Sequence, residues 1–294
     1  MAETNILSGK VVSDAVYAAL KDRITSLADH HSAVPGLAAV IVGDDPASQV
    51  YVRNKTRRFK NMNLHSETIR LPEETSQKEL LSTIRTLNND PVFHGILVQL
   101  PLPKHIDTSV VINAIAPDKD VDGFHPENLG LLTAGKPRFI PCTPKGIMRI
   151  LEHFHIDPSS KHAVVLGRSN IVGRPISILL SQKQAYSNAT TTICHSGTSD
   201  LRAFTTQADI LVAALGVPEM IDDTYIKEDV VIIDVGINRV PDQSEKGYKL
   251  VGDVNYDAVQ GIAQSITPVP GGVGPMTIAM LVENTVEATE NLFN

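Results

Sequence analysis

Short apolar runs alternate with amphipathic stretches along most of the chain. Leu37–Val42 is an unbroken apolar run and reads as a buried strand. Gly43-Asp-Asp-Pro46 follows it, a turn and helix-start signal. From about Ala47 to Met62 the pattern is helical. Leu64–Arg70 predicts a second strand, Gln77–Leu87 a second helix and Gly95–Gln99 a third strand. This βαβαβ order predicts a parallel sheet with right-handed crossovers.

Periodicity then fades. Pro117-Asp-Lys-Asp-Val-Asp-Gly123 carries three acids and a turn, and the Pro, Gly and Thr content of residues 126–144 keeps the segment irregular. Thr143-Pro-Lys-Gly opens a helix, with Thr143 as its cap and Pro144 in its first position, and the helix runs to about Phe154. A second α/β unit begins at Ala163–Leu166, with further strands at Thr190–Cys194, Ile210–Ala214, Val230–Val235 and Ser265–Pro268. The last segment, from Met276, is helical, with apolar residues at Ile278, Leu281 and Val282. It lies beyond the second unit's last strand and is expected to pack back on the first. No internal repeat or low-complexity tract is present.

Composition narrows the function class. With 294 residues, 42% of them hydrophobic and 20% charged, the chain suits two soluble globular domains. A net charge of −7 argues against a nucleic-acid footprint, which is normally a basic patch. No run reaches the roughly 18 apolar residues of a membrane helix. The start, Met1-Ala-Glu-Thr-Asn5, has neither the basic nor the apolar region of a secretory signal, so a cytoplasmic location is expected. Cys142 and Cys194 are far apart and read as free thiols. The histidines, including His30-His31 and the pair His153 and His155, lack metal-ligand spacing, and no metal is expected.

Tyr51-Val-Arg-Asn-Lys55 sets a phenol and an amine one helical turn apart, on one face. Such a pair stacks on a flat substrate and moves its protons, although any charged helix produces the spacing by chance. Gly167-Arg-Ser-Asn-Ile-Val-Gly173 follows a strand and precedes a helix, the context a dinucleotide loop needs. Gly167 permits a tight turn and Gly173 close packing, and the helix start offers N–H groups to phosphate. Where NAD enzymes place an acid after the next strand, this chain has Cys194-His-Ser-Gly-Thr198. Arg168 and Ser196 suit a 2′-phosphate instead, which favours NADP. Short-chain dehydrogenases also use Tyr-x-x-x-Lys, but there the glycine loop comes first. Here the pair precedes the loop, so the two fall in different domains and the active site is expected in the cleft between them.

Tyr51-x-x-x-Lys55, Val98–Pro103, Asp122-Gly-Phe124, Gly167–Pro175, Asp234–Asn238 and Pro268–Thr277, in this order, resemble the methylenetetrahydrofolate dehydrogenase/methenyltetrahydrofolate cyclohydrolase family. The match covers essentially the whole chain, and Pro-Gly-Gly-Val-Gly-Pro-Met-Thr is its most specific string. The resemblance implies a folate-binding catalytic domain of residues 1–140 with 270–294, and a Rossmann-type NADP-binding domain of residues 141–269. It implies oxidation of 5,10-methylenetetrahydrofolate by NADP+ and then hydrolysis to 10-formyltetrahydrofolate, in a homodimer.

The same resemblance assigns roles. Lys55 is the proton-transfer residue of the hydrolysis, since an amine beside a cationic substrate is pushed toward its neutral form. Gln99 is a neutral partner that orients it. Tyr51 is a surface for the folate, Asp122 a bidentate acceptor for the pterin, Leu100 and Pro101 an apolar wall. Gly271 and Gly272 allow close backbone approach. Gly167, Arg168, Ser169, Gly173, Ser196 and Ile237 are the expected cofactor residues. Two alternatives stand beside this reading. One is a dehydrogenase without the hydrolytic step, which the intact Lys55 and Gln99 disfavour. The other is a non-catalytic folate- or nucleotide-binding protein, which fold alone never excludes.

Overall fold

The structure is a computed structural model and describes residues 3–244 and 247–293. The chain runs through β1 (Asn5–Ile6), α1 (Gly9–His31), β2 (Gly36–Val42), α2 (Pro46–Asn61), β3 (His65–Leu71), α3 (Gln77–Asn89) and β4 (Gly95–Val98). Next come α4 (Thr108–Ala114), α5 (Pro126–Thr133), α6 (Cys142–His153), β5 (His162–Leu166), α7 (Gly173–Ser181) and β6 (Thr190–Cys194). Then follow α8 (Arg202–Thr205), β7 (Ile210–Ala213), β8 (Val231–Asp234), β9 (Asn238–Pro241) and β10 (Tyr248–Val251). The chain closes with α9 (Tyr256–Val259), β11 (Ser265–Ile266) and α10 (Val273–Glu290).

Two compact units result: Val16–Cys142 with Ile278–Asn294, and Met1–Ala15 with Thr143–Thr277. The first holds a three-stranded parallel sheet in the order β3-β2-β4. Every residue of β2 and β4 is buried, which is why both read as continuous apolar runs. Leu80, Ile84 and Leu87 recur at helical spacing on α3 and pack against Ala38, Val40 and Ile96. Ser76 caps α3 reciprocally with Glu79.

The second unit holds a six-stranded parallel sheet in the order β6-β5-β7-β8-β11-β1. β5 has β6 on one side and β7 on the other, so strand order reverses there. The loop after β5 lies at this switch point, where open α/β sheets bind ligands. The three-stranded sheet repeats the rule around β2, whose following helix carries Tyr51 and Lys55.

Several elements differ from expectation. β1 joins β11, and Leu7 N donates to Ile266 O at 2.8 Å, so the first fifteen residues group with the six-stranded unit and not with residues 16–140. Gly271 and Gly272 group there as well. Residues 126–133 form α5, started by His125 and Pro126. α6 begins at Cys142, one residue before the expected cap Thr143, whose hydroxyl meets that of Thr277 at 2.9 Å.

Candidate active site

Asp45 starts α2 by accepting from Ser48 N at 2.7 Å, with Pro46 in the first turn. The helix then buries Ser48, Val52, Lys55 and Phe59, a stripe at helical spacing. A lysine thus occupies a core position and is only 6% exposed. Its Nζ donates to Gln99 Oε1 at 3.2 Å, and Gln99 Nε2 donates to Leu100 O at 2.7 Å. The glutamine is fixed by its neighbour's carbonyl, so its oxygen is presented to the amine. Gln99 directly follows β4, beside β2. Tyr51, one turn before Lys55, is partly buried, as is Leu100, while Pro101 is exposed.

Asp122 sits in a tight turn. Gly123 has φ +76°, and a Cβ there would lie 2.8 Å from Pro141 N. Burial pushes the Asp122 carboxyl above its ordinary range, against the positive charge of Lys55 and a hydrogen bond from Cys142. Lys55, Gln99 and Asp122 are therefore one electrostatic group. The turn is held by an acid that sequence reasoning gave no role. Asp120, 1% exposed, accepts from Phe124 N, His125 N and Asn128 Nδ2. Burial raises its pKa to about 6. Asn128 Oδ1 in turn accepts from Arg138 Nη1 at 2.9 Å. The only signal in the sequence was the density of acids at residues 118–122.

In the six-stranded unit, Gly167 takes φ +122°, and a Cβ there would lie 2.4 Å from Ala214 O. A Cβ on Gly173 would lie 2.1 Å from Gly167 O. Both glycines are demanded by the loop's own packing. The helix start differs from expectation. Ser169 Oγ accepts from Val172 N at 3.1 Å and Gly173 N at 3.3 Å, and Arg174 N donates to Ser169 O at 3.0 Å. These amides are already engaged and not free for a phosphate. The Ser169 hydroxyl proton remains to donate outward. Arg168 Nη1 lies 3.3 Å from His195 Nε2, next to Ser196, and Arg168, Ser169 and Ser196 are all exposed. A glycine loop at the strand-order switch point, with an adjacent guanidinium and hydroxyls, fits a dinucleotide carrying an extra phosphate.

The loops after β7 and β8 are tied by two buried acids. Asp253, fully buried, accepts from Leu215 N at 2.6 Å, Gly216 N at 2.9 Å and Asn238 Nδ2 at 2.9 Å. Asp234 accepts from Gly236 N, Asp253 N and Val254 N, each at 3.0 Å. Burial, helped by the neighbouring Asp253 charge, lifts Asp234 to about 7. Ile237, in the loop they hold, is 42% exposed. The two glycines of the Pro268–Thr277 segment separate in role. Gly272 is buried, and a Cβ there would lie 2.6 Å from Pro268 O, so its need is internal. Gly271 has φ +111°, with nothing nearer its missing Cβ than Pro268 Cγ at 3.9 Å. Only Gly271 leaves open space for a ligand.

Among the described residues no helix is long and apolar enough to cross a membrane, and no group of three or more His, Cys, Asp or Glu could hold a metal ion.

The catalytic domain of the tetrahydrofolate dehydrogenase/cyclohydrolase family matches residues 7–122, and that family's NAD(P)-binding domain matches residues 141–293. The bifunctional protein FolD of Chloroherpeton thalassium is 53% identical over 289 residues, covering 97% of this chain and 98% of that protein. The crystal structure of the bifunctional enzyme FolD from Campylobacter jejuni superposes with a TM-score of 0.92 at 44% identity, over 98% of this chain and 99% of that one. FolD of Trypanosoma brucei, complexed with NADP cofactor and inhibitor, gives 0.95 at 35% identity, over the full length of both.

Proposed function

The chain belongs to the tetrahydrofolate dehydrogenase/cyclohydrolase family, and from that premise we propose how its residues share the work of two successive reactions. It is a bifunctional enzyme. It oxidises 5,10-methylenetetrahydrofolate to 5,10-methenyltetrahydrofolate with NADP+, then hydrolyses that cation to 10-formyltetrahydrofolate. NADP+ supplies the hydride acceptor.

The observation that carries the hydrolytic assignment is Lys55, buried on the apolar face of α2 with a neutral amide as its hydrogen-bond partner. A carboxylate directly on the amine would hold it as ammonium. Gln99 orients Nζ without doing so. Beside a cationic folate, repulsion and lost hydration both favour the free amine, which takes a proton from the attacking water. The hydride step needs no enzyme base, because the lone pair of the folate nitrogen replaces the departing electron pair.

Asp122 accepts from the pterin ring N–H and exocyclic amine, and Tyr51 underlies the flat ring system. Leu100 and Pro101 wall it. On the cofactor side, Gly167 and Gly173 shape the loop and the Ser169 hydroxyl donates to phosphate. Arg168 with Ser196 holds the 2′-phosphate, and Ile237 offers apolar surface. The working form is a cytoplasmic homodimer. Two buried free thiols suit a reducing compartment, and the dimer rests on the family resemblance, which sedimentation velocity tests.

The deciding experiment follows methenyl-folate absorbance with NADP+ and then NAD+. Formation that is faster with NADP+, followed by enzyme-dependent decay, is expected. No formation would leave a binding protein, and formation without catalysed decay a dehydrogenase alone.

A further inference from the structure

We propose that Asn284, on the C-terminal helix, is a positioning residue that sets Asp122 for folate recognition. The proposal rests on Asp122 being the pterin acceptor.

α10 is buried along most of its length and carries several polar residues there, including Asn284, Thr285 and Thr289. Two of these are satisfied within the helix. Thr285 Oγ1 donates to Leu281 O at 2.8 Å and Thr289 Oγ1 to Thr285 O at 2.9 Å. Asn284 reaches outward instead. Its Nδ2 donates to Val121 O at 2.7 Å and to Ile140 O at 3.0 Å, and lies 3.7 Å from Cys142 Sγ.

Those groups belong to the two stretches of chain that enclose Asp122. Val121 precedes it. Ile140–Cys142 lies against the turn, where the missing Cβ of Gly123 faces Pro141 and Ile140. Cys142 Sγ lies 3.4 Å from Val121 O, and its single S–H is shared between that carbonyl and the Asp122 carboxyl. An amide has two protons on one nitrogen, and Asn284 spends them on one carbonyl from each stretch. It therefore fixes the separation of the two stretches, and with it the direction of the carboxylate. An aspartate at 284 would set acceptor against acceptor, so the requirement is for an amide donor.

The test is a double-mutant cycle with an independent probe of the carboxyl. Asn284→Ala is expected to raise the KM for methylenetetrahydrofolate about tenfold, which is the loss of one to two hydrogen bonds' worth of binding, with the Kd for NADP unchanged. In an Asp122→Ala background the same substitution should change the folate KM less than about twofold, since contacts acting through one group are not additive. Equal factors in both backgrounds, or a matching loss of NADP affinity, would overturn the proposal. The carboxyl carbon of Asp122, followed by NMR, should titrate at lower pH in Asn284→Ala, because the loosened turn admits water. An unchanged midpoint would also overturn it. If Asn284→Ala does not fold, Asn284→Ser takes its place in every arm. Should Asp122→Ala leave the folate KM unaltered, the pterin-acceptor reading falls, while the titration still reports whether Asn284 positions that side chain.

Discussion

Asp253 in the six-stranded unit is a fully buried acid and Asp122 in the three-stranded unit a half-buried one, and they are used in opposite ways. Asp253 gives its oxygens to two backbone amides and an asparagine, and so joins the loops after β7 and β8. Asp122 faces Lys55 and a thiol, and desolvation still keeps its carboxyl above the ordinary range. Buried charge therefore does not mark a site. What distinguishes the two is whether the partners are the protein's own fixed amides, as at Asp253, or another reactive side chain, as at Lys55 and Asp122.

The strongest way to sharpen the contrast is Lys55→Met, which preserves length and suits the apolar stripe. Hydrolysis of methenyl-folate should fall roughly a thousandfold, the middle of the range that positioned proton transfer contributes, while part of the hydride transfer survives. Stopped-flow decay of the methenyl absorbance reads it, and near-normal hydrolysis would remove Lys55 from the mechanism. Asp253→Ala should instead strike the fold. It strands two backbone donors and an amide, and unmade buried hydrogen bonds cost about 1–3 kcal/mol each, so urea unfolding should show a loss of about 3 kcal/mol or more. Wild-type stability there would dissolve the comparison.

Arg168→Ala is expected to weaken NADP binding about tenfold, as the loss of a charged hydrogen bond, with NAD binding little changed. Equal losses by calorimetry would mean that Arg168 does not read the 2′-phosphate. A further prediction concerns Asp234. Its folded pKa lies near 7, above the ordinary carboxylate range. Between about pH 4 and pH 7 the folded state keeps a proton that the unfolded chain has released. The associated stability is complete at the acid end and is lost as pH rises toward 7. Melting temperature should fall over that window, and Asp234→Asn should flatten the fall. Asp120, raised to about 6, leaves a residual slope of the same sign.

The strands and most helices were legible because burial writes itself into sequence. β2 and β4 are buried along their whole length, and the Asp45-Pro46 start of α2 is a local signal. Lys55 and Gln99 were legible only through motif resemblance, since nothing in Tyr-Val-Arg-Asn-Lys shows that the lysine faces inward. β1 has two residues and offers no period to read. α4 and α5 span seven and eight residues, also too short for a helical pattern to stand out. Asp253 and Asn284 look like ordinary surface residues, because their backbone partners lie 37 to 163 positions away. The engaged amides of α7 were missed for a similar reason: a serine in the loop closes on them, a rotamer choice that sequence does not record.

The pairing of β1 with β11 also bears on the order in which the molecule is made. Thr4 Oγ1 binds Ala263 O and accepts from Gly261 N, and Lys10 N donates to Gly271 O. The beginning of the chain thus zips along a segment synthesised some 260 residues later. The three-stranded unit likewise waits for Ile278 onward before Asn284 can reach Val121 and Ile140. Neither unit is finished on a ribosome until translation is nearly over. For a protein of this plan the nascent chain carries Lys55 long before it carries Asn284 or the strand that β1 joins.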